Sequence, residues 1–140
     1  MTLHEIVNQI LKIAQQQPNI NYVGEGDIYE LNKLPNINYS VFFITQGAHQ
    51  VYENTLQYTF NLFYIDRLMA DNSNRLQIQS QGMLVINNII NLLNQLDINI
   101  DIVYPVTFTS FNQRFADECS GVFAEITINV DNNLGICGYE

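Results

Sequence analysis

Two cysteines, two histidines and fourteen carboxylates are the side chains with which this 140-residue chain can do chemistry. A thiol nucleophile needs a base within hydrogen-bond reach. Cys119 has only His4 and His49 to draw on, one in a helical segment and one in a turn-like segment, and nothing in the spacing brings either to it. Paired with Cys137 as a metal site, Cys119 lacks two further ligands. It reads as a small, half-buried packing residue. Gly24-Glu25-Gly26-Asp27 has the look of a glycine-rich phosphate loop, but it carries two acids and no lysine, and no helix start follows it. Phosphate would be repelled there, and the tetrapeptide reads as a plain turn. No catalytic, cofactor-binding or metal-ligating set is expected from these patterns.

The side chains that invite a functional reading suit contact rather than catalysis. Phe111-Asn112-Gln113-Arg114-Phe115-Ala116-Asp117-Glu118-Cys119-Ser120-Gly121 has neither helical nor strand periodicity and precedes a clear strand. It packs two aromatics, an arginine and acids into one corner, a composition enriched where proteins dock. Phe111 and Phe115 serve equally well as plugs of a core corner. Gly121 is expected to supply a backbone conformation that other residues avoid. Asp66, Arg67 and Asp71 stand at the exit of a long strand, placed either for an intersubunit ion pair or for pairing that fixes the loop ahead. The candidate subunit interface is therefore Tyr39, Phe42, Tyr52, Asp66, Arg67, Phe111, Arg114, Phe115 and Asp117.

The elements that must position these residues follow from periodicity. Thr2-Leu3-His4-Glu5 is a capping box, and Leu3, Ile6, Val7, Ile10, Leu11 and Ala14 mark one face of the helix it opens. Pro18 ends that helix near Gln16 or Gln17. Gly24 and Gly26 break the chain before a short strand, Asp27 to Leu31. Asn32 to Asn38 is a loop. A hairpin follows, with arms Tyr39 to Gln46 and Val51 to Asp66 and a turn at Gly47-Ala48-His49. In its second arm Leu56, Tyr58, Phe60, Leu62 and Tyr64 share one face. Typical strands have about five or six residues, so this arm is expected to overhang its domain and reach a neighbour, or to bend at a bulge.

Asp71-Asn72-Ser73-Asn74 is a helix-start cluster. The helix runs to Leu96, with Val85, Ile86, Ile89, Ile90, Leu92, Leu93 and Leu96 on its apolar stripe. Gly82 either weakens this helix or allows close packing. Ile98 to Tyr104 is a strand that Pro105 interrupts and Thr107 to Phe111 continues. Val122 to Val130 is the last strand. The order has no βαβ repeat. It predicts one α+β domain over residues 1–140, a mostly antiparallel sheet with an extended β-hairpin and two main helices on one face.

Composition narrows the partners. The net charge is -9, and Lys12, Lys33, Arg67, Arg75 and Arg114 form no cluster. A basic face able to release counterions from nucleic acid is absent. An acidic wall does suit a conduit through which DNA slides without sticking. Charged residues make up only 14%, against the usual quarter, and amides take their place. Such a surface suits burial against partners, and codon bias would also produce it. No apolar run approaches the roughly 20 residues of a membrane span, and no signal peptide is expected. Two cysteines do not make a disulfide framework, so a reducing cytoplasm is the default compartment.

Asp66-Arg67-Leu68, Ser73-Asn74-Arg75-Leu76-Gln77-Ile78-Gln79-Ser80-Gln81-Gly82 and the segment Phe111 to Gly121 resemble small virion proteins of crAss-like and related tailed bacteriophages. That family is similar in architecture to tail-terminator and neck-ring proteins. The resemblance covers most of the chain and implies a structural subunit of a ring in the neck or tail, joining portal and head to tail. It implies a homo-oligomer of twelve-fold or six-fold symmetry, stacked against portal, neck or tail ring proteins, in a virion assembled in the host cytoplasm. No catalytic residue and no cofactor come with it. The alternative is a small monomeric phage-encoded inhibitor of a host factor, whose long hairpin folds back on its own core.

Overall fold

The computed structural model describes residues 2–27, 39–69, 71, 73–96, 100–112 and 119–132. Helix α1 spans Leu3–Gln15 and starts on the expected capping box. The Glu5 N–H donates to Thr2 Oγ1 at 3.2 Å, and the Thr2 N–H donates back to Glu5 Oε1 at 3.4 Å. Ile6, Val7, Ile10, Ile13 and Ala14 form its buried face. Strand β1 is Tyr22–Glu25, so Gly24 lies within a strand rather than breaking the chain ahead of one. Of the expected strand Asp27 to Leu31 only Asp27 is described, and it is not in a strand; Ile28 to Leu31 and the Asn32–Asn38 loop lie outside the described residues. Gly26 has a positive φ, 133°, a conformation that favours glycine.

Strand β2 is Val41–Gln46, β3 is Gln50–Val51 and β4 is Thr55–Arg67. Gly47-Ala48-His49 is not the hairpin turn. Both β2 and β3 lie along the same edge of β4, with Gln46 opposite Phe60 and Gln50 opposite Gln57. From 46 to 50 the outer chain advances four residues while β4 advances three, from 57 to 60, so one residue is extra: a β-bulge. The ladder holds across it. The Gly47 N–H donates to the Thr59 carbonyl at 2.7 Å, and the Thr59 N–H donates to His49 Nδ1 at 3.2 Å. An imidazole nitrogen thus stands in for a backbone carbonyl. The true reversal is at 52–54, closed by the Tyr52 N–H on the Thr55 carbonyl at 2.7 Å.

Helix α2 is Arg75–Leu96. Strands β5, Asp101–Ile102, and β6, Thr107–Asn112, lie end to end on one edge of β7, Cys119–Asp131, on either side of Pro105. The sheet order is β1-β2-β4-β7-β5, with β3 on β4 and β6 on β7. Among the described residues only β1 and β2 pair in parallel. The 13-residue β4 pairs with the 13-residue β7 from Thr55↔Asp131 to Arg67↔Cys119. The long strand therefore does not overhang. At about 3.3 Å per residue it runs the length of the sheet, paired throughout.

Phe42, Ile44, Tyr58, Phe60, Leu62, Tyr64, Val122, Ala124, Ile126, Ile128 and Val130 are buried with the inner faces of α1 and α2 in one core. Their alternation along β4 and β7 is the cause: every second side chain faces the helices. Both helices lie on this face, giving the α+β architecture expected. Gly82 resolves as a contact position. A Cβ there would come within 2.9 Å of Tyr64 Cδ1 and Val122 Cγ2, so the missing side chain lets α2 approach the sheet. Leu92 and Leu96 depart from the predicted stripe and are exposed.

Candidate functional site

The other face of the sheet carries no helix among the described residues. Register assigns its side chains in rows, since residues opposite one another in paired strands share a face. Toward the start of β4 the rows are polar and nearly uncharged: Gln50, Gln57, Asn129 and Asp101; Thr59 and Thr127; Thr45, Asn61, Glu125 and Thr107. Gln57 Nε2 donates to Asn129 Oδ1 at 3.1 Å along the first. Toward the end of β4 the rows turn apolar. Val41, Phe43, Ile65, Phe111 and Cys119 form a second buried cluster, against which Tyr22, Tyr39, Phe63 and Phe123 pack. Phe63 and Phe123 stack at 5.2 Å, and Phe111 meets Phe63 edge-on at 6.0 Å.

The expected interface residues divide between these places. Tyr39 and Arg67 meet: the Arg67 guanidinium carbon lies 5.1 Å from the Tyr39 ring centroid, within cation–π range. Phe111 belongs to the same cluster but is only 7% exposed, so it is a core residue of this chain rather than an anchor available to a neighbour. Phe42 is fully buried on the helix face and is likewise no contact residue. Tyr52 is exposed at the far reversal, where its hydroxyl donates to Gln50 Oε1 at 2.7 Å. Arg114, Phe115 and Asp117 lie outside the described residues. The aperiodic corner is shorter than read, because Phe111 and Asn112 end β6, and Cys119 to Gly121 begin β7.

Gly121 owes its identity to space rather than to φ. A Cβ there would fall 1.9 Å from the Tyr64 carbonyl oxygen. Next to it Ser120 is buried, accepting from Gln79 Nε2 at 3.2 Å and donating to the Phe111 carbonyl at 3.3 Å. One hydroxyl thus ties α2 to the β6–β7 pair.

Asp66 sits on the helix side. Its Oδ1 accepts from the Arg67 N–H at 2.8 Å, and it opens onto a cleft of about 290 Å3 lined by Tyr64, Asp66, Met69, Asn74, Gln77, Ile78 and Gln81. Burial pushes the Tyr64 hydroxyl up from its ordinary pKa, a hydrogen bond with Ser40 lowers it in part, and the Asp66 charge raises it again. Nothing in the sequence flagged Gln77 and Gln81 as neighbours of Asp66. Their i, i+4 spacing puts both on one helix face, and only the docking of α2 on β4 brings that face over Asp66.

The catalytic candidates do not assemble. Cys119 is fully buried, more deeply than expected. His4 is exposed on α1 beside Asn8, and His49 is taken up by the bulge, its Nε2 3.0 Å from Gln46 Oε1. With Nδ1 accepting from Thr59, Nε2 is the protonated nitrogen. Cys137 lies outside the described residues. Among the described residues no group of three His, Cys, Asp or Glu is placed to hold a metal ion. The Gly26–Asp27 turn borders a depression of about 430 Å3 with Thr45 and Gln46, and no cation lines it among the described residues. No described helix is long and apolar enough to cross a membrane. Comparison with protein-family models and with curated proteins finds no match for this chain.

Proposed function

We propose that this protein is a structural subunit of an oligomeric ring in the neck or tail of a tailed bacteriophage, with no catalytic role. The observation that carries this reading is the asymmetry of the sheet. Both helices occupy one face, while the other presents mainly hydroxyls and amides across β2, β4, β7 and β6, broken by the carboxylates of Glu125 and Asp101. Uncharged polar groups cost far less to desolvate than charges. In a chain of net charge -9, such a surface is where copies approach with least repulsion. The motifs at Asp66–Leu68, Ser73–Gly82 and Phe111–Gly121 support the assignment to a neck or tail ring, and the acidic balance suits a lumen that DNA traverses. Portal, neck or tail ring proteins are then the stacking partners.

One observation favours a second reading, a small monomeric binding protein acting on a host factor. The long hairpin is spent inside its own sheet, its apolar face buried under α1 and α2. It is not an arm held out to a neighbour. Size-exclusion chromatography with light scattering separates the two across a concentration series. The ring reading expects a high-order species that accumulates with concentration, and charged substitutions at Thr59 or Thr127 should dissolve it. A monomer throughout, unaffected by those substitutions, favours the binding protein.

A further inference from the structure

We propose that the cleft between β4 and the first turns of α2 is a binding site for a guanidinium group, the side chain of an arginine on another polypeptide. Its wall is built in advance. Asn74 Oδ1 accepts from the Met69 N–H at 2.9 Å, and Asn74 Nδ2 donates to the Arg67 carbonyl at 3.2 Å. Ser73 is held to Asp71 Oδ1 through its N–H at 3.1 Å. One asparagine thus fastens the β4–α2 connection at both ends and leaves the cleft open beside it.

A carboxylate and two amides remain to face a ligand. Asp66 uses one oxygen for the Arg67 N–H and makes no ion pair with a described residue. Gln77 and Gln81, one turn apart on α2, bring side-chain amides to the same space, each with an oxygen able to accept. A carboxylate beside two amides that can turn their oxygens inward suits a cation with several donors, and a guanidinium carries five in a planar fork. At about 290 Å3 the cleft lies at or below the range of about 300–1,000 Å3 typical of small-molecule pockets. It suits one long side chain. Met69, exposed at the rim, offers an apolar surface for the methylene stem of an arginine. In the ring reading the arginine belongs to an adjacent subunit or stacked ring protein. Binding itself is a property of the single chain and does not require that reading.

The test is an NMR titration of the folded chain with N-acetyl-arginine amide, beside n-butylammonium and matched sodium chloride. The arginine probe should shift the side-chain amide signals of Gln77 and Gln81 saturably. Asp66→Asn should weaken binding roughly tenfold or more, as loss of a charge-assisted hydrogen bond does. Gln77→Glu, at an exposed position, should tighten it roughly twofold to fivefold, and it keeps the test alive should Asp66→Asn fail to fold. Shifts that match sodium chloride would overturn the site. So would unchanged affinity in a folded Asp66→Asn protein, or no response to Gln77→Glu. Tighter binding of n-butylammonium than of the arginine probe would overturn the guanidinium assignment. A saturable site in a chain that stays monomeric would leave the cleft standing and count against the ring alone.

Discussion

The backbone of Gly121 passes so close to Tyr64 that a single methyl has no room: a Cβ would fall 1.9 Å from the Tyr64 carbonyl oxygen. The obstacle is backbone in the paired central strand, which cannot swing aside as a side chain would. Gly121→Ala should therefore force β4 and β7 apart where Phe111, Ile65 and Cys119 pack. A loss of about 3 kcal/mol or more is expected, at or beyond the upper end of ordinary overpacking. Urea denaturation of the variant beside Gly82→Ala measures it. At Gly82 the obstacles are side-chain atoms at 2.9 Å, and improved helix propensity of about 1 kcal/mol offsets part of the cost.

His49 should matter for the bulge and not for chemistry. Its ring accepts the Thr59 N–H and lies 5.5 Å from Tyr58 and 5.6 Å from Phe60. His49→Ala should cost about 0.5–1.5 kcal/mol, the net worth of an ordinary hydrogen bond, because the site is exposed and water can take the Thr59 N–H. Amide exchange at Thr59 should quicken more than at its neighbours in β4. Unchanged protection there would show that another group holds the bulge.

Phe111 separates core from interface in one substitution. Buried against Phe63 and Phe123, it should cost about 3–5 kcal/mol of subunit stability when changed to Ala. Denaturation of the dilute protein reads this directly. A docking residue would instead leave the isolated subunit nearly unchanged and weaken association alone.

Alkaline stability follows from two buried phenols. Burial and the Glu5 charge push Tyr58 above the ordinary 10.0, and burial with the Asp66 charge pushes Tyr64 up against a partly opposing hydrogen bond with Ser40. In the unfolded chain both ionise nearer 10, so above that pH the folded state holds more protons. Stability then falls with rising pH. It should be full below about pH 9 and decline through and above pH 10. Tyr64→Phe should flatten part of that decline in denaturation curves taken across this window.

What the sequence showed best was the side of the sheet that faces the helices. Leu56 to Tyr64 and Val122 to Val130 alternate because a half-buried strand must, and Thr2 with Glu5 announces α1 because an unpaired helix start needs a cap. The bulge is not legible in the sequence. Gly47-Ala48-His49 has turn composition, and only the cross-strand register shows the chain continuing along β4. The length of β4 pointed to an overhanging arm because the sequence does not reveal that β7 matches it residue for residue. The contact residues divided for a related reason. Phe42 and Phe111 look alike as exposed aromatics in a string, and burial depends on which sheet face each occupies. Asp66 stands at the end of its strand, where the sequence places a charge, while Gln77 and Gln81 become its neighbours only through the tertiary docking of α2.

The central claim is that copies of this chain close into a ring through the polar, sparsely charged face of the sheet. Native mass spectrometry of the purified protein over a concentration series, with and without a threonine-to-glutamate change at Thr127 in that face, tests it most directly. The account predicts one discrete closed stoichiometry, six or twelve copies, that gives way to subunits in the Thr127→Glu variant. A monomer at every concentration, or an oligomer indifferent to Thr127→Glu, would contradict it.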